Sequence, residues 1–367
     1  MPFTIDVHHH IRPDFFLQET NDGAHPVGGI APAPWDQAGM LSFMDDAGID
    51  IAVTSISTPG VHVGDDARAR DLARRCNELA ASMIQKRPDR FGGFAALPLP
   101  DVDGALNELA YALDVLKLDG VVVFSNSNGV YLGDKRFEPV FEELERRSAV
   151  VFVHPTTSPD PVAHRLGLPD SFIDFTADTT RAVAQMLYSN RLARTPSVKY
   201  ILSHAGGVMP YLAGRFAIMD EMNVIPGGDI RGTAATALRR LHYDTAASFS
   251  PAVLNMLRDV VGLTQGVWHG QSLSPSRHGG SVGGAYAADN GAFGSRAAGD
   301  TSRKRAAAVP APEPRACRLI PGEVRDARQG SRKKAQFEWT LAGSLSIGNQ
   351  MCRYKPRIIA LLRGELR

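Results

Sequence analysis

The chain alternates short runs of apolar, β-branched residues with longer stretches in which apolar positions recur every three or four residues. The runs are FTIDV (3–7), IAVTSI (51–56), FGGFAAL (91–97), GVVVF (120–124), AVVFVH (149–154), VKYILSH (198–204) and LHYDTA (241–246). Continuous apolar runs of this length suit strands buried on both faces, as in a parallel sheet covered by helices. Between them, segments such as ARARDLARRCNELAASMIQKR and FEPVFEELERR carry the helical period. This is the rhythm of repeated βα units, and seven such strands predict a (β/α)8 barrel of the TIM type that still needs one strand. An open doubly wound sheet is the rival architecture, because closure leaves no mark on a sequence.

After Gln265 the pattern stops. Residues 269–317 are rich in Gly, Ser, Ala, Arg and Pro, with GGSVGG, SRKRAAAVPAPEPRA and few large apolar side chains. Such a composition buries too little surface to offset its ordering entropy, which predicts a low-complexity, disordered tail. The expected division is a barrel over 1–265 holding strands one to seven and a tail over 266–367, with strand eight missing or degenerate.

Charge changes sign at the same place. The net charge over 367 residues is +1, but 1–265 holds 23 Lys+Arg against 32 Asp+Glu, or −9, and 266–367 holds 17 against 7, or +10. The basic clusters SRKR and SRKK suggest nucleic-acid contact, yet no recognition fold or aromatic interleaving accompanies them, which argues against it. A hydrophobic content of 44% is ample for a packed core. Cys76, Cys317 and Cys352 are odd in number and far apart, so neither a disulfide framework nor a Cys-based zinc site is indicated, and a reducing cytoplasm fits. No secretory signal opens the chain and no run is long enough to span a bilayer, so membrane insertion is not expected.

Candidate chemistry gathers at the strand ends. In Asp6-Val7-His8-His9-His10, alternation sends His8 and His10 to one face at the end of strand one and His9 to the other. Two imidazoles so placed suit a divalent cation such as Zn2+. His154 closes strand five before Pro155. His204 closes strand six before two glycines, which permit a tight turn and close approach to a ligand. Asp244 lies near the end of strand seven. Each is weak alone, since a single strand-end His is usually structural. In a barrel, however, the ends of strands one, five, six and seven form one ring, and that coincidence points to a metal site.

The motifs DVHHHIRP, RFGGFAALPLPD, GVVVFSN with YLGD, VFVHPTT, ILSHAGGVMPYLAGR and YDTA together resemble the amidohydrolase-related family of aminocarboxymuconate semialdehyde decarboxylase. Within it they are most similar to the branch of 6-methylsalicylate and related aromatic-acid decarboxylases. The resemblance spans residue 3 to about 265. It implies a (β/α)8 barrel in which His8, His10 and His154 bind the metal, usually zinc with Mn2+ or another divalent cation as the alternative. It further implies that His204 orients water or substrate, that Asp6 and Asp244 support the ligands from behind, and that a strand-eight Asp completes the metal side and donates the proton. The implied reaction is non-oxidative loss of CO2 from a small aromatic or muconate-like carboxylic acid, without an organic cofactor, in a homodimer. The physical basis is a cation that stabilises developing oxyanion charge and an acid that protonates carbon. Thr58 and His62, after strand two, are candidates for substrate contact. The alternative within the same superfamily is a lactone or amide hydrolase, since a metal-bound hydroxide serves hydrolysis equally well.

The departure from the family comes at strand eight, which should end near Phe-Gly-Ser/Thr-Asp-x-Pro-Phe/Tyr. Here the chain reads GLTQGVWHGQSLS over 262–274, and no acid occurs between Asp259 and Asp289. Moving the codon boundaries of residues 267–274 one nucleotide downstream permits Val-Phe-Gly-Thr-Asp-Asn-Pro-Phe, which restores the family pattern. The opposite shift forces Ala where Gly is needed and cannot encode the Asp. A second shifted match, over 304–311, permits Asn-Ala-Leu-Arg-Leu-Phe-Pro. We therefore infer a one-nucleotide slip near Gln265/Gly266, with 312–367 read past a lost stop codon, and expect little decarboxylation from the chain as written.

Overall fold

The computed structural model describes residues 4–21, 28, 35–159, 167–222, 224, 234–262 and 267–268. The reading-frame inference and the predicted tail otherwise lie outside the described residues. Eight strands form one sheet: β1 (Ile5–His10), β2 (Ile51–Ser55), β3 (Phe91–Ala96), β4 (Gly120–Phe124), β5 (Val150–His154), β6 (Lys199–Leu202), β7 (His242–Asp244) and β8 (Val267–Trp268). They lie in sequence order, and every described pairing in this sheet is parallel. β8 pairs with β7 and approaches β1, so the sheet is a nearly closed barrel and the open-sheet alternative fails. Strand eight is present, with Val267 and Trp268 its described residues.

Helices separate the strands and cover the barrel. α1 (Asp14–Asn21) and α2 (Gln37–Ala47) lie between β1 and β2, and α3 (Asp66–Lys86) follows β2. Asp65 caps α3 through the Arg68 amide, and Leu72, Cys76, Ala80, Met83 and Ile84 supply its buried stripe at helical spacing. α4 (Val102–Ala110) and α5 (Glu138–Arg146) flank β4, and α6 (Asp174–Tyr188) and α7 (Arg191–Arg194) follow β5. α8 (Met209–Glu221), α9 (Ala234–Arg240) and α10 (Pro251–Val260) complete the described helices. Inside the barrel, the ring of Phe94 stacks on Phe152 at 5.5 Å, and Phe152 stands edge-on to His8 at 5.1 Å. The histidines at the strand ends therefore rest on an apolar floor.

Candidate metal centre

The register of β1 against β2 slips between Asp6 and His9, which is the signature of a bulge. Asp6 meets the local need it creates: its carboxylate accepts the His8 amide at 2.9 Å and faces His9 Nδ1 at 2.9 Å. His9 points away from the barrel as expected, yet it stays buried beneath α2, its ring 6.0 Å from Phe43. His8 and His10 both point inward, with their Nε2 atoms 3.0 Å apart.

His154, the last residue of β5, places its Nε2 3.1 Å from that of His10. The second nitrogen of each ring is engaged elsewhere. His154 Nδ1 donates to the Pro155 carbonyl at 2.7 Å, His8 Nδ1 meets Asp244 Oδ2 at 2.7 Å, and His10 Nδ1 lies 3.3 Å from Ser55 Oγ. Burial holds the pKa of His10 and of His154 well below the ordinary imidazole range, and neighbouring imidazoles push in the same direction.

A ring that spends Nδ1–H on a fixed acceptor presents a bare Nε2 lone pair when it is neutral, and one ring hydrogen cannot satisfy two such neighbours. A cation resolves the conflict. Ligands about 2.0–2.1 Å from a tetrahedral metal would stand about 3.3 Å apart, close to the observed separations, so the donor set fits a divalent ion. A second set, His8, His204 and Asp244, also brings ligating atoms within 4.8 Å of one another. Both Asp244 oxygens are already used, however: Oδ2 by His8, and Oδ1 by the amides of His204 at 2.7 Å and Ala246 at 3.0 Å. The first set is the better fit.

His204 lies two residues beyond β6, in a turn with φ of 53°, and does not close the strand as the sequence pattern predicted. Its ring centre is 4.9 Å from that of His8. Nδ1 donates to the Ala246 carbonyl at 2.9 Å, which leaves Nε2 as an acceptor, and burial lowers its pKa to about 4. The two glycines after it take φ of 74° and 66°, as the tight turn expected from the sequence requires, and they also serve packing. A Cβ on Gly206 would fall 2.7 Å from the Tyr243 ring and one on Gly207 2.2 Å from the Thr176 carbonyl.

A cavity of ≈ 290 Å³ opens among the loops that follow β2 to β5. Val61, Leu97, Leu99 and Phe124 give it an apolar wall, and Asn126, Asn128 and Thr156 supply polar groups. Phe124 links it to the histidines, its ring 5.9 Å from that of His154. His62 lines this cavity, although both its nitrogens are engaged, Nε2 with Asp66 at 2.8 Å and Nδ1 with the Asn128 amide at 2.9 Å. Thr58 does not line it; its hydroxyl braces that of Thr156 at 2.7 Å. Sequence reasoning missed Asn126 and Asn128, whose only signal was the polar run SNSNG directly after a strand.

A nearly closed parallel barrel that gathers imidazoles at the C-terminal ends of its strands defines a metal-dependent barrel enzyme. The chain belongs to the amidohydrolase family, whose sequence model matches residues 5–268. It is 36% identical over 258 residues to a 6-methylsalicylic acid decarboxylase of Penicillium expansum, a match covering 69% of this chain and 79% of that one. It is 32% identical over 188 residues to the 2-amino-3-carboxymuconate-6-semialdehyde decarboxylase of Dictyostelium discoideum, covering 49% and 51%. Among solved structures, a dihydroxybenzoic acid decarboxylase from a Polaromonas species, with bound manganese and 2-nitroresorcinol, superposes with a TM-score of 0.62 at 23% identity, covering 74% of this chain and 86% of that one. Among the described residues, no helix is long and apolar enough to cross a membrane.

Proposed function

We propose that the chain is a metal-dependent, non-oxidative decarboxylase of a small aromatic carboxylic acid of the hydroxybenzoate type. The observation that carries this reading is the convergence of the His8, His10 and His154 Nε2 atoms beside a cavity sized for one substituted ring, in a chain related to aromatic-acid decarboxylases.

His8, His10 and His154 would hold the cation, with zinc the first choice for three imidazoles and manganese the alternative that a relative carries. When bound, it supplies fixed positive charge against the oxyanion that develops as CO2 departs. Asp244 fixes the His8 ring, and the Pro155 carbonyl fixes His154. His204 presents an acceptor nitrogen and so holds a substrate hydroxyl. In the reaction the bond between ring carbon and carboxyl carbon breaks, its electron pair stays on the ring carbon, and a proton takes the place of CO2. Neutral His204 is a poor donor of that proton. The family's donor is the strand-eight Asp, so the chain as written decarboxylates far more slowly than one in which the shifted frame is restored.

The test is the reaction of 6-methylsalicylate in D2O with the metal-loaded, frame-restored chain. A phenol carrying one deuterium on the former carboxyl-bearing carbon supports decarboxylation. A substrate recovered intact, alongside hydrolysis of lactone or amide probes, would assign the site to the hydrolase alternative.

A further inference from the structure

Alternation along the first strand does not end with His10. The Ile11 amide still bonds to the Ser55 carbonyl at 2.9 Å, so the extended pairing with β2 runs one residue further, and Ile11 is buried. The next position, Arg12, therefore falls on the face of His8 and His10, at the barrel mouth.

Arg12 is half-buried, and it lies near enough to His10 and His154 for its charge to act on both. Among the described residues no carboxylate, carbonyl or hydroxyl accepts a hydrogen bond from it, and no acid offsets the effect of its burial. Arg191 shows what this chain does with a buried guanidinium that serves the fold: it bonds to Glu138 at 2.7 Å and to the Asp134 carbonyl at 3.0 Å. A half-buried guanidinium loses solvation, and a structural one recovers that loss through a partner. Among the described residues Arg12 has none. Among the described residues, no Asp, Glu, Lys or Arg lines the cavity, and its one histidine, His62, is held by Asp66.

We propose that Arg12 is a substrate-positioning residue whose guanidinium binds the carboxylate of the aromatic acid. The planar fork of an arginine matches a carboxylate with two parallel hydrogen bonds, and it stays protonated throughout the working pH range. The incoming anion thus supplies the partner that the described residues do not offer. This rests on the decarboxylase reading for the identity of the ligand, though its test does not require turnover.

The experiment measures binding of salicylate and of its neutral analogue salicylamide to the full chain by calorimetry, without turnover, for the unaltered protein, Arg12→Gln and Arg12→Lys. Removing a charge-assisted contact should weaken salicylate by about tenfold or more. Salicylamide should change by less than about twofold, because it offers the guanidinium no carboxylate. Arg12→Lys should recover part of the salicylate affinity, since it keeps the charge and loses the fork. Equal salicylate affinity in Arg12→Gln, parallel weakening of both probes, or no preference for salicylate in the unaltered chain would each overturn the assignment. If Arg12 governs salicylate binding while the frame-restored chain releases no CO2, the assignment stands and the reaction reading falls.

Discussion

Asp244 Oδ2 lies 2.7 Å from His8 Nδ1, joining residues 236 positions apart that are both shielded from solvent. The same carboxylate accepts the amides of His204 and Ala246. One side chain at the end of β7 therefore fixes the ring of the first strand and the turn that carries His204. Asp244→Asn keeps the shape but can present an N–H to His8 and reverse its tautomer. Metal affinity should fall by about 10- to 100-fold, as for other carboxylates behind a ligating histidine. Competition against a calibrated chelator measures it, and unchanged affinity would show that Asp244 does not orient His8.

His154→Ala removes one of three converging nitrogens. Metal content after reconstitution should fall from one ion per chain to well below that, as read by elemental analysis. Because metal binds only the folded site, a chelator should lower the Tm of the reconstituted chain and leave that of His154→Ala unmoved. A chelator effect of equal size in both would place the ion elsewhere.

Asp178 on α6 has no solvent exposure and accepts hydrogen bonds from Ser125 Oγ, from Asn126 Nδ2 at 2.8 Å and from the Tyr131 hydroxyl. Ser125 Oγ in turn accepts the Thr156 amide at 3.1 Å, so the network braces two residues of the cavity wall, Asn126 and Thr156. Asp178→Ala removes the acceptor of the buried Ser125 hydroxyl, of the part-buried Tyr131 hydroxyl and of Asn126, which keeps its bond to the Thr157 carbonyl, and should cost about 3 kcal/mol. Urea denaturation reads this directly, and a loss below about 0.5 kcal/mol, the range of ordinary surface changes, would refute the network's role.

Cys76 on α3 is buried, and burial pushes its thiol pKa up to about 12 from 9.0. The folded state thus holds this proton more tightly than the unfolded state does. Its stabilising effect is complete below about pH 9 and is lost as pH rises toward 12, by at most about 4 kcal/mol. Iodoacetamide at pH 8 should leave the Cys76 peptide unmodified in the folded chain and modify it in urea. Modification at equal rates in both would contradict the burial.

The parallel strand order and the inward pair His8 and His10 were legible because buried strands and strand alternation each write a period into the sequence. His154 was legible because Pro155 ends its strand. His204 was misplaced by two residues because φ of 53° in a turn has no sequence period, and its glycines answer to Tyr243 and Thr176, which are distant in sequence. The pairing of Asp244 with His8 joins residues 236 positions apart, and sequence placed Asp244 behind the ligands without naming His8 as its partner. Arg12 continued the alternation of His8 and His10 and went unread, because only the absence of a partner among the described residues separates it from an ordinary surface arginine. Thr58 was drawn in by its position after β2, whereas its hydroxyl faces Thr156.

The most direct test is release of labelled CO2 from carboxyl-labelled 6-methylsalicylate by the metal-loaded, frame-restored chain, run beside the chain as written and a frame-restored His154→Ala variant. The account predicts metal-dependent release from the restored chain, at least about 100-fold less from the chain as written, consistent with loss of an acid worth several kcal/mol, and a comparable loss in His154→Ala. Release that survives His154→Ala, or no release from the restored chain with either zinc or manganese, would contradict it.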